Sequence, residues 1–575
     1  MDPQGRSHAL IWLPAWLCVA AFYLWILKAP PSRAYIDFGD GNYQYISRRL
    51  VEGVQLYTQI LSPQPPFHLW LGSLLVRLSE AIGMEPLLAF RWCIHLIRAL
   101  TALCAFGVAW RLFGKGSVAF LAGSLFFLLP EGYRWSQSYQ SEHLELLLLS
   151  FGWFACLGES VPMRCLAGIA AAGAVWTNMS ALPFSVLLAL HAGFAPTYRW
   201  PPLVASVATG VVLLGACFLR YGEKYIENVW TNQVASFPSD PRQWLASLAE
   251  QGTAIVTLEG LVILAALIGM YRFLHDLEIP PRTIRERLLV VGYGIISVGS
   301  AVYVIKGGTV DYIFMLAETA LAVFAAASLR QWFVEVPRMG AVADAVRPGF
   351  ERLGPPVLRV VLLVGAVVLL GWHPFRFLTG ARFQFSPGVD LADQSAGRVV
   401  EFSDREARTL ERLIREFSKR EDLIWAPPYL AAISERTLAM DLSETYLWWV
   451  RWHHSLPPGD TDPEVDRMIE GFTELASERK IALFLTNDRT GQWGQLLVPN
   501  RDLPIGPGQG IPIRSIDPRI ERLQKAIEEN YEPLRAHPGS EEKLYFQGWN
   551  ERLEVWVPKG SPTIPPPWVQ EGFGA

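Results

Sequence analysis

From residue 8 to about residue 375 the chain is a succession of apolar stretches long enough to cross a lipid bilayer. That recurrence limits its possible folds more than any motif does. A helix needs about 20 apolar residues to cross roughly 30 Å of hydrocarbon. Candidate segments lie at 8–28, 87–113, 116–133, 142–159, 164–178, 180–194, 202–221, 254–274, 288–305, 312–332 and 356–374, of which 164–178 and 180–194 are short and separated by the polar TNMS. They predict a polytopic α-helical membrane protein of about 11 transmembrane helices. The first segment is longer than a signal-peptide core and lacks a small-residue cleavage site, so it reads as an uncleaved anchor. The stretch 67–83, FHLWLGSLLVRLSEAIG, places Arg77 and Glu80 on an amphipathic pattern and reads as a helix lying in the interface.

Composition agrees: charged residues are 18% of the chain, below the roughly 25% of soluble domains. A net charge of −4 offers no basic surface to nucleic acid. The cysteines (Cys18, Cys93, Cys104, Cys156, Cys165, Cys217) lie in or beside apolar segments without CxxC spacing, and read as small buried hydrophobes.

With the N-terminus in the cytoplasm, the basic loops Arg272–Arg287 and Arg330–Arg352 fall inside, as the positive-inside rule requires. The first outer loop, 29–86, with the start of the span after it, breaks the rule with Arg33, Arg48, Arg49, Arg77 and Arg91. Cations kept outside against the rule imply a role other than topology. The same orientation brings Asp37, Asp40, Glu142, Glu145, Asn178, Lys224, Lys306 and Asp311 to the outer side. Acids at span ends are expensive and are usually paired or functional.

After residue 375 the character changes, giving a transmembrane domain 1–375 and a soluble domain 376–575 that the odd number of spans leaves extracytoplasmic. DREARTLERLIREFSKREDLIWAPPYLAAI reads as an amphipathic helix and a strand, and DPEVDRMIEGFTELASERKIALFLTND repeats that order. DPRIERLQKAIEENY is a further helix and KLYFQGWNERLEVWVP a terminal hairpin, so the domain is α/β. It contains no Gly-rich phosphate loop and no nucleophile elbow.

The first outer loop contains DGNYQYISRRLVEGVQLYTQI, then QPPFHLWL. It resembles the first outer loop of the GT-C class of integral-membrane glycosyltransferases, within it most closely the polyprenyl-phosphate-mannose–protein mannosyltransferase and aminoarabinose-transferase-like group. The matching features are Asp40, Tyr43, a helix to Gly53, Tyr57, and Pro65 and Pro66 before an aromatic helix. GIAAAGAVWTNMSALPFSV and GGTVDYIFMLAETALAVFAAASL, the latter with Tyr312, resemble two further segments of the group. Three positions depart from its pattern: Gly41 stands where a second acid is common, and Gln64 and Asn178 stand where lysines are common.

The resemblance implies an inverting enzyme that moves a sugar from a polyprenyl-phosphate donor in the bilayer to an acceptor hydroxyl of a glycan, lipid or protein, at the outer face of the plasma (inner) membrane. Such a transfer needs a base for the hydroxyl proton and positive charge for the departing phosphate. Asp40 is the expected base; its local sequence also fits an N-cap of the following helix. Asp37 is a second acid, a metal ligand or a turn residue. Glu142, the third candidate catalytic acid, matches an acid that the group carries at the outer end of the fourth span and also fits a helix start. Arg48, Arg49, Lys224 and Lys306 are expected to meet the phosphate, with Tyr43, Tyr57, Gln64, Asn178 and Tyr312 lining the substrate. A divalent metal ion, if used, would draw on Asp37, Asp40 and Glu142. The competing reading is a flippase or transporter of lipid-linked sugars; the chain lacks the internal two-fold repeat that transporters commonly carry.

Overall fold

The structure is a computed structural model. It describes residues 38–129, 138–193, 200–231, 241–275, 283–300, 311–335, 404–443, 462–487, 518–535, 544–547 and 552–564, with the separate positions 14, 16, 17, 20, 21, 135, 451, 503–504 and 510–511. Most of the predicted span 8–28, all of the span 356–374 and the boundary expected at 375 lie outside the described residues.

The helical part runs α1 (Phe38–Val51), α2 (Phe67–Ile82), α3 (Pro86–Phe113), α4 (Gly116–Leu128), α5 (Ser141–Cys156), α6 (Val161–Val175), α7 (Leu182–Gly193), α8 (Trp200–Tyr221), α9 (Pro241–His275), α10 (Ile284–Gly299) and α11 (Glu318–Glu335). Glycine punctuates it where hydropathy falls: α2 and α3 end on Gly83 and Gly114 in the left-handed conformation that glycine adopts freely. Among the described residues, α3 and α8 are long and apolar enough to cross a bilayer by length and composition. The 254–274 stretch is the inner part of a longer helix. PRQWLASLAEQGT is too polar for a hydropathy window yet continues the helix back to Pro241.

Small residues set the packing. An added Cβ on Gly269 of α9 would stand 2.8 Å from the Phe324 carbonyl carbon of α11, so those backbones touch. The bundle core runs through Ala102, Ala105 and Ala109 of α3, Phe126 of α4, Leu149 and Trp153 of α5 and Leu321 and Phe324 of α11, all buried.

The α/β part runs α12 (Asp404–Phe417), β1 (Leu423–Trp425), α13 (Pro428–Ser434), β2 (Thr437–Leu438), α14 (Pro463–Ser477), β3 (Ile481–Asn487), α15 (Pro518–Asn530), β4 (Tyr531–Pro533), β5 (Tyr545–Gln547) and β6 (Arg552–Pro558). β1 pairs in parallel with β2 and β3, as helical crossovers require. β6 pairs antiparallel with β3 on one side and with β4 and β5 on the other. Alternation along the strands separates two cores. Trp425, Phe484 and Trp556 face α14 and α15, while Ile424, Leu485, Val555 and Val557 face the core shared with α12, α13 and the first-loop helix α1. α12 supplies that second core with Ala407, Leu410, Leu413 and Ile414, one stripe of a helix otherwise rich in charge.

Candidate functional site

Helix α1 begins at Phe38, so Asp40 lies within its first turn and is not the residue before it. A carboxylate there is favoured by the helix dipole. Asp37 and Lys306 lie outside the described residues, as do the side chains of Asp40 and Tyr312; the Tyr312 backbone belongs to the 3₁₀ segment Asp311–Ala317.

Tyr43 is buried, its ring edge-on to that of His68 at 4.6 Å. This contact fixes α1 on α2. The two helices approach closely because Gly72 has no side chain: a Cβ there would come within 2.8 Å of the Ser47 Cβ. α2 is tied in turn to the bundle. The Tyr139 hydroxyl donates to the His68 carbonyl at 2.7 Å, and the Phe67 N–H donates to the Trp176 carbonyl at 3.3 Å.

Those ties lead to a buried polar group at the start of α5. Asn178 donates through Nδ2 to Glu142 Oε1 at 2.8 Å and to Ser141 Oγ at 3.1 Å, and Ser141 Oγ donates to Glu142 Oε2 at 3.1 Å. The Asn178 Oδ1 accepts from the Ser180 N–H, capping the short turn Met179–Ala181. Ser180 Oγ donates to both oxygens of Glu145, at 2.8 and 3.0 Å. Both acids are almost fully buried. The structure thus joins Glu142 and Asn178 and adds Glu145 to them. With both Glu142 oxygens accepting hydrogen bonds from the protein, this carboxylate fits poorly as a metal ligand. Among the described residues no three His, Cys, Asp or Glu side chains stand together as a metal group.

Deeper in the bundle, Arg98 Nη1 meets Glu318 Oε2 at 3.3 Å, with 1% and 0% of their side chains exposed, and Ser150 Oγ meets Thr319 Oγ1 at 2.6 Å. Sequence reasoning passed over Arg98 and Glu318. Their signal was present, because an ionisable residue inside an apolar segment is a candidate by default.

Three of the four cations expected at the phosphate are held by acids or carbonyls. Arg49 binds Asp441 bidentately, Nε to Oδ1 at 2.7 Å and Nη2 to Oδ2 at 3.0 Å, and also binds Glu52. Burial pulls its guanidinium down, but Asp441 and Tyr45 outweigh this and leave it above its ordinary value. Arg48 donates to the carbonyls of Ala431 and Ala432 at 3.3 and 3.4 Å and to Glu52 at 2.9 Å. Lys224 pairs with Glu227 at 2.8 Å and with Glu464, which Arg451 also binds. These partners, Glu52 and Glu227 apart, belong to the α/β part, so the cations fasten it to the first loop and to α8's end.

Tyr57 and Gln64 also meet, the buried Tyr57 hydroxyl donating to the Gln64 carbonyl at 2.7 Å. Tyr57 sits at φ +67, unusual for a residue with a Cβ, and its ring packs against Tyr221 and Tyr225 at 5.0 and 5.6 Å. A cavity of about 220 Å³ opens beside it, between Thr58 and Gln59 of the first loop and Met440, Arg451, Glu464 and Arg467 of the α/β part.

No family model and no curated protein matches the sequence. Solved structures do match the fold. ArnT from Cupriavidus metallidurans bound to undecaprenyl phosphate is similar over 97% of this chain and 99% of its own, with TM-score 0.58 and 14% identity. The apo state of the same protein is similar over 84% and 94%, with TM-score 0.54 and 16% identity. The apo oligosaccharyltransferase of Archaeoglobus fulgidus is similar over 92% and 80%, with TM-score 0.50 and 11% identity. The resemblance carried by the first loop therefore extends to the fold: this chain is folded like the GT-C integral-membrane glycosyltransferases.

Proposed function

We propose that the chain is an inverting glycosyltransferase that takes a sugar from a polyprenyl-phosphate donor and places it on an acceptor hydroxyl of a glycan, lipid or protein. The reading includes about 11 spans in the plasma (inner) membrane, with the site and the α/β part, from about residue 376, on the extracytoplasmic side. The observation that carries it is the placement of α1. The helix bearing Asp40 stands on α2, which is hydrogen-bonded to Tyr139 and Trp176 beside the buried Glu142–Asn178 pair. The fold is one whose ArnT example holds undecaprenyl phosphate.

In the transfer, the acceptor oxygen bonds to the anomeric carbon from the face opposite the phosphate, and the bond from that carbon to the phosphate oxygen breaks with its electron pair. Asp40 takes the hydroxyl proton, and polyprenyl phosphate leaves with the added negative charge. Glu142 and Asn178 form a fixed polar floor under the first loop. Arg48, Arg49 and Lys224 hold the α/β part; Lys306, between the predicted spans 288–305 and 312–332, is the cation we assign to the phosphate. Asp37 is assigned as the second acid of the loop.

The test uses purified full-length protein in nanodiscs, a panel of polyprenyl-phosphate sugars and release of polyprenyl phosphate. Asn in place of Asp40 keeps the size but is not a base, so turnover in Asp40→Asn should fall about 10²–10⁴-fold with donor affinity little changed. Full activity in that variant would remove Asp40 from the chemistry. Absence of release from every donor would remove the transfer reading and leave transport of lipid-linked sugars.

A further inference from the structure

Asp441 is separated from the first loop by most of the chain, yet it is the residue on which α1 is anchored. Tyr45 and Arg49 are one helical turn apart on one face of α1. The Tyr45 hydroxyl donates to Asp441 Oδ1 at 2.7 Å, beside the bidentate Arg49 contact at 2.7 and 3.0 Å. The same hydroxyl accepts from the Leu438 N–H at 2.8 Å, so Tyr45 is gripped from two sides. Arg48 completes the attachment on the last carbonyls of α13. Tyr45 is fully buried, and the Asp441 side chain is only 18% exposed.

The backbone that presents Asp441 is strained. Met440 and Asp441 stand at φ +58 and +50, a left-handed pair without glycine. Outliers of this kind persist where the surroundings over-determine them, and they concentrate at functional sites. Turning the carboxylate toward α1 is what this geometry achieves. At about 100° per residue, the Asp40 position lies roughly 140° around the helix from Tyr45. A face anchored at Tyr45 and Arg49 thus sets the rotation of α1 while leaving the Asp40 position on another face.

We propose that Asp441 is a positioning residue for the first-loop helix, fixing its rotation and height and thereby the place of Asp40. The inference rests on Asp40 as the base. A general base acts only within hydrogen-bond reach of the proton it takes, so the anchoring of α1 governs turnover more than donor binding.

The experiment compares wild type, Asp441→Asn and Tyr45→Phe as full-length protein in nanodiscs. Tyr45→Phe keeps the buried ring and removes only the hydroxyl, which guards against a folding defect in the first variant. Arg519→Ala, which breaks a pair with Asp466 elsewhere in the α/β part, is the control. Hydrogen exchange of the α1 amides should speed up about tenfold or more in both clamp variants and stay unchanged in the control. Turnover should fall about 10–100-fold, as misplacement by 1 Å can do, with donor KM within about twofold. Asp441→Glu, which keeps the charge, should recover part of the turnover. Unchanged α1 exchange in both variants would overturn the proposal, as would faster exchange with unchanged turnover. If wild type released polyprenyl phosphate from no donor, the transfer reading would fall, and with it the catalytic consequence of the clamp; exchange would still decide whether Asp441 anchors the helix.

Discussion

Arg98 and Glu318 meet inside the bundle with 1% and 0% of their side chains exposed, whereas Lys224 and Glu464 meet beside the first loop with 39% and 24% exposed. The two places use opposite charges for different ends. In the bundle, removing ions from water is so costly that a charge is tolerable only when it is paired. The pair therefore specifies how α3 and α11 sit together. At the Lys224 pair water screens the charges, so that pair alone is worth little. There Lys224 and Arg451 share Glu227 and Glu464, and their fastening is collective. The bundle holds its polar groups by necessity, and the interface by number.

That contrast predicts a graded series. Arg98→Met removes the cation beside the buried Glu318 and should destabilise by about 3–5 kcal/mol, read as thermal unfolding in detergent. Arg98→Met/Glu318→Leu should recover most of the loss. A single variant as stable as wild type would break the contrast.

Asn178→Ala removes the donor to Glu142 Oε1 and should cost about 1–3 kcal/mol, the usual penalty for a buried acceptor left short of a partner. Asn178→Asp should cost more, since it sets a second carboxylate against the first. An Asn178→Ala protein of wild-type stability would mean that water replaces the amide.

The interface should respond to acid. Burial raises Asp462, but the paired hydrogen bonds and charge of Arg451 outweigh this and hold it below the usual carboxylate range. A carboxyl depressed in the folded state contributes stability above its unfolded value, near 3.9, and loses that contribution as pH falls through the lower folded value. The stability difference between wild type and Asp462→Asn should therefore shrink below about pH 4. A difference that grew on acidification would contradict the assignment.

The smallest effect is expected from Lys224→Ala, at most about 1 kcal/mol, and it should fade in high salt. A loss as large as that of Arg98→Met would show that this pair is not screened.

The local elements of the chain were legible in sequence. Apolar length located α3 through α8, and the short apolar run KIALFL located β3. Where the reading fell short, the cause was local as well. The onset of α9 was hidden by polar residues that still form helix, and α1 starts at Phe38, ahead of the Asp40 position that local sequence also fitted as an N-cap. Glu142 and Asn178 were each legible, because a polar group among apolar residues is conspicuous. Their pairing was not, since nothing within either segment encodes a contact 36 residues away.

The division between what sequence and tertiary structure decide follows the range of the forces. Hydrophobic periodicity, helix-ending glycines and the acidic first loop act within a few residues, so the sequence by itself determined a helical membrane part, the strands and helices of an α/β part, and the loop carrying Asp40. Long-range packing decided what the polar groups do there. Arg48, Arg49 and Lys224, expected to meet a phosphate, are engaged by Ala431, Asp441 and Glu464, residues brought to them only when the α/β part packs on α1. A cation can hold a ligand or a protein carboxylate by the same chemistry. Only the folded arrangement determines which one it meets.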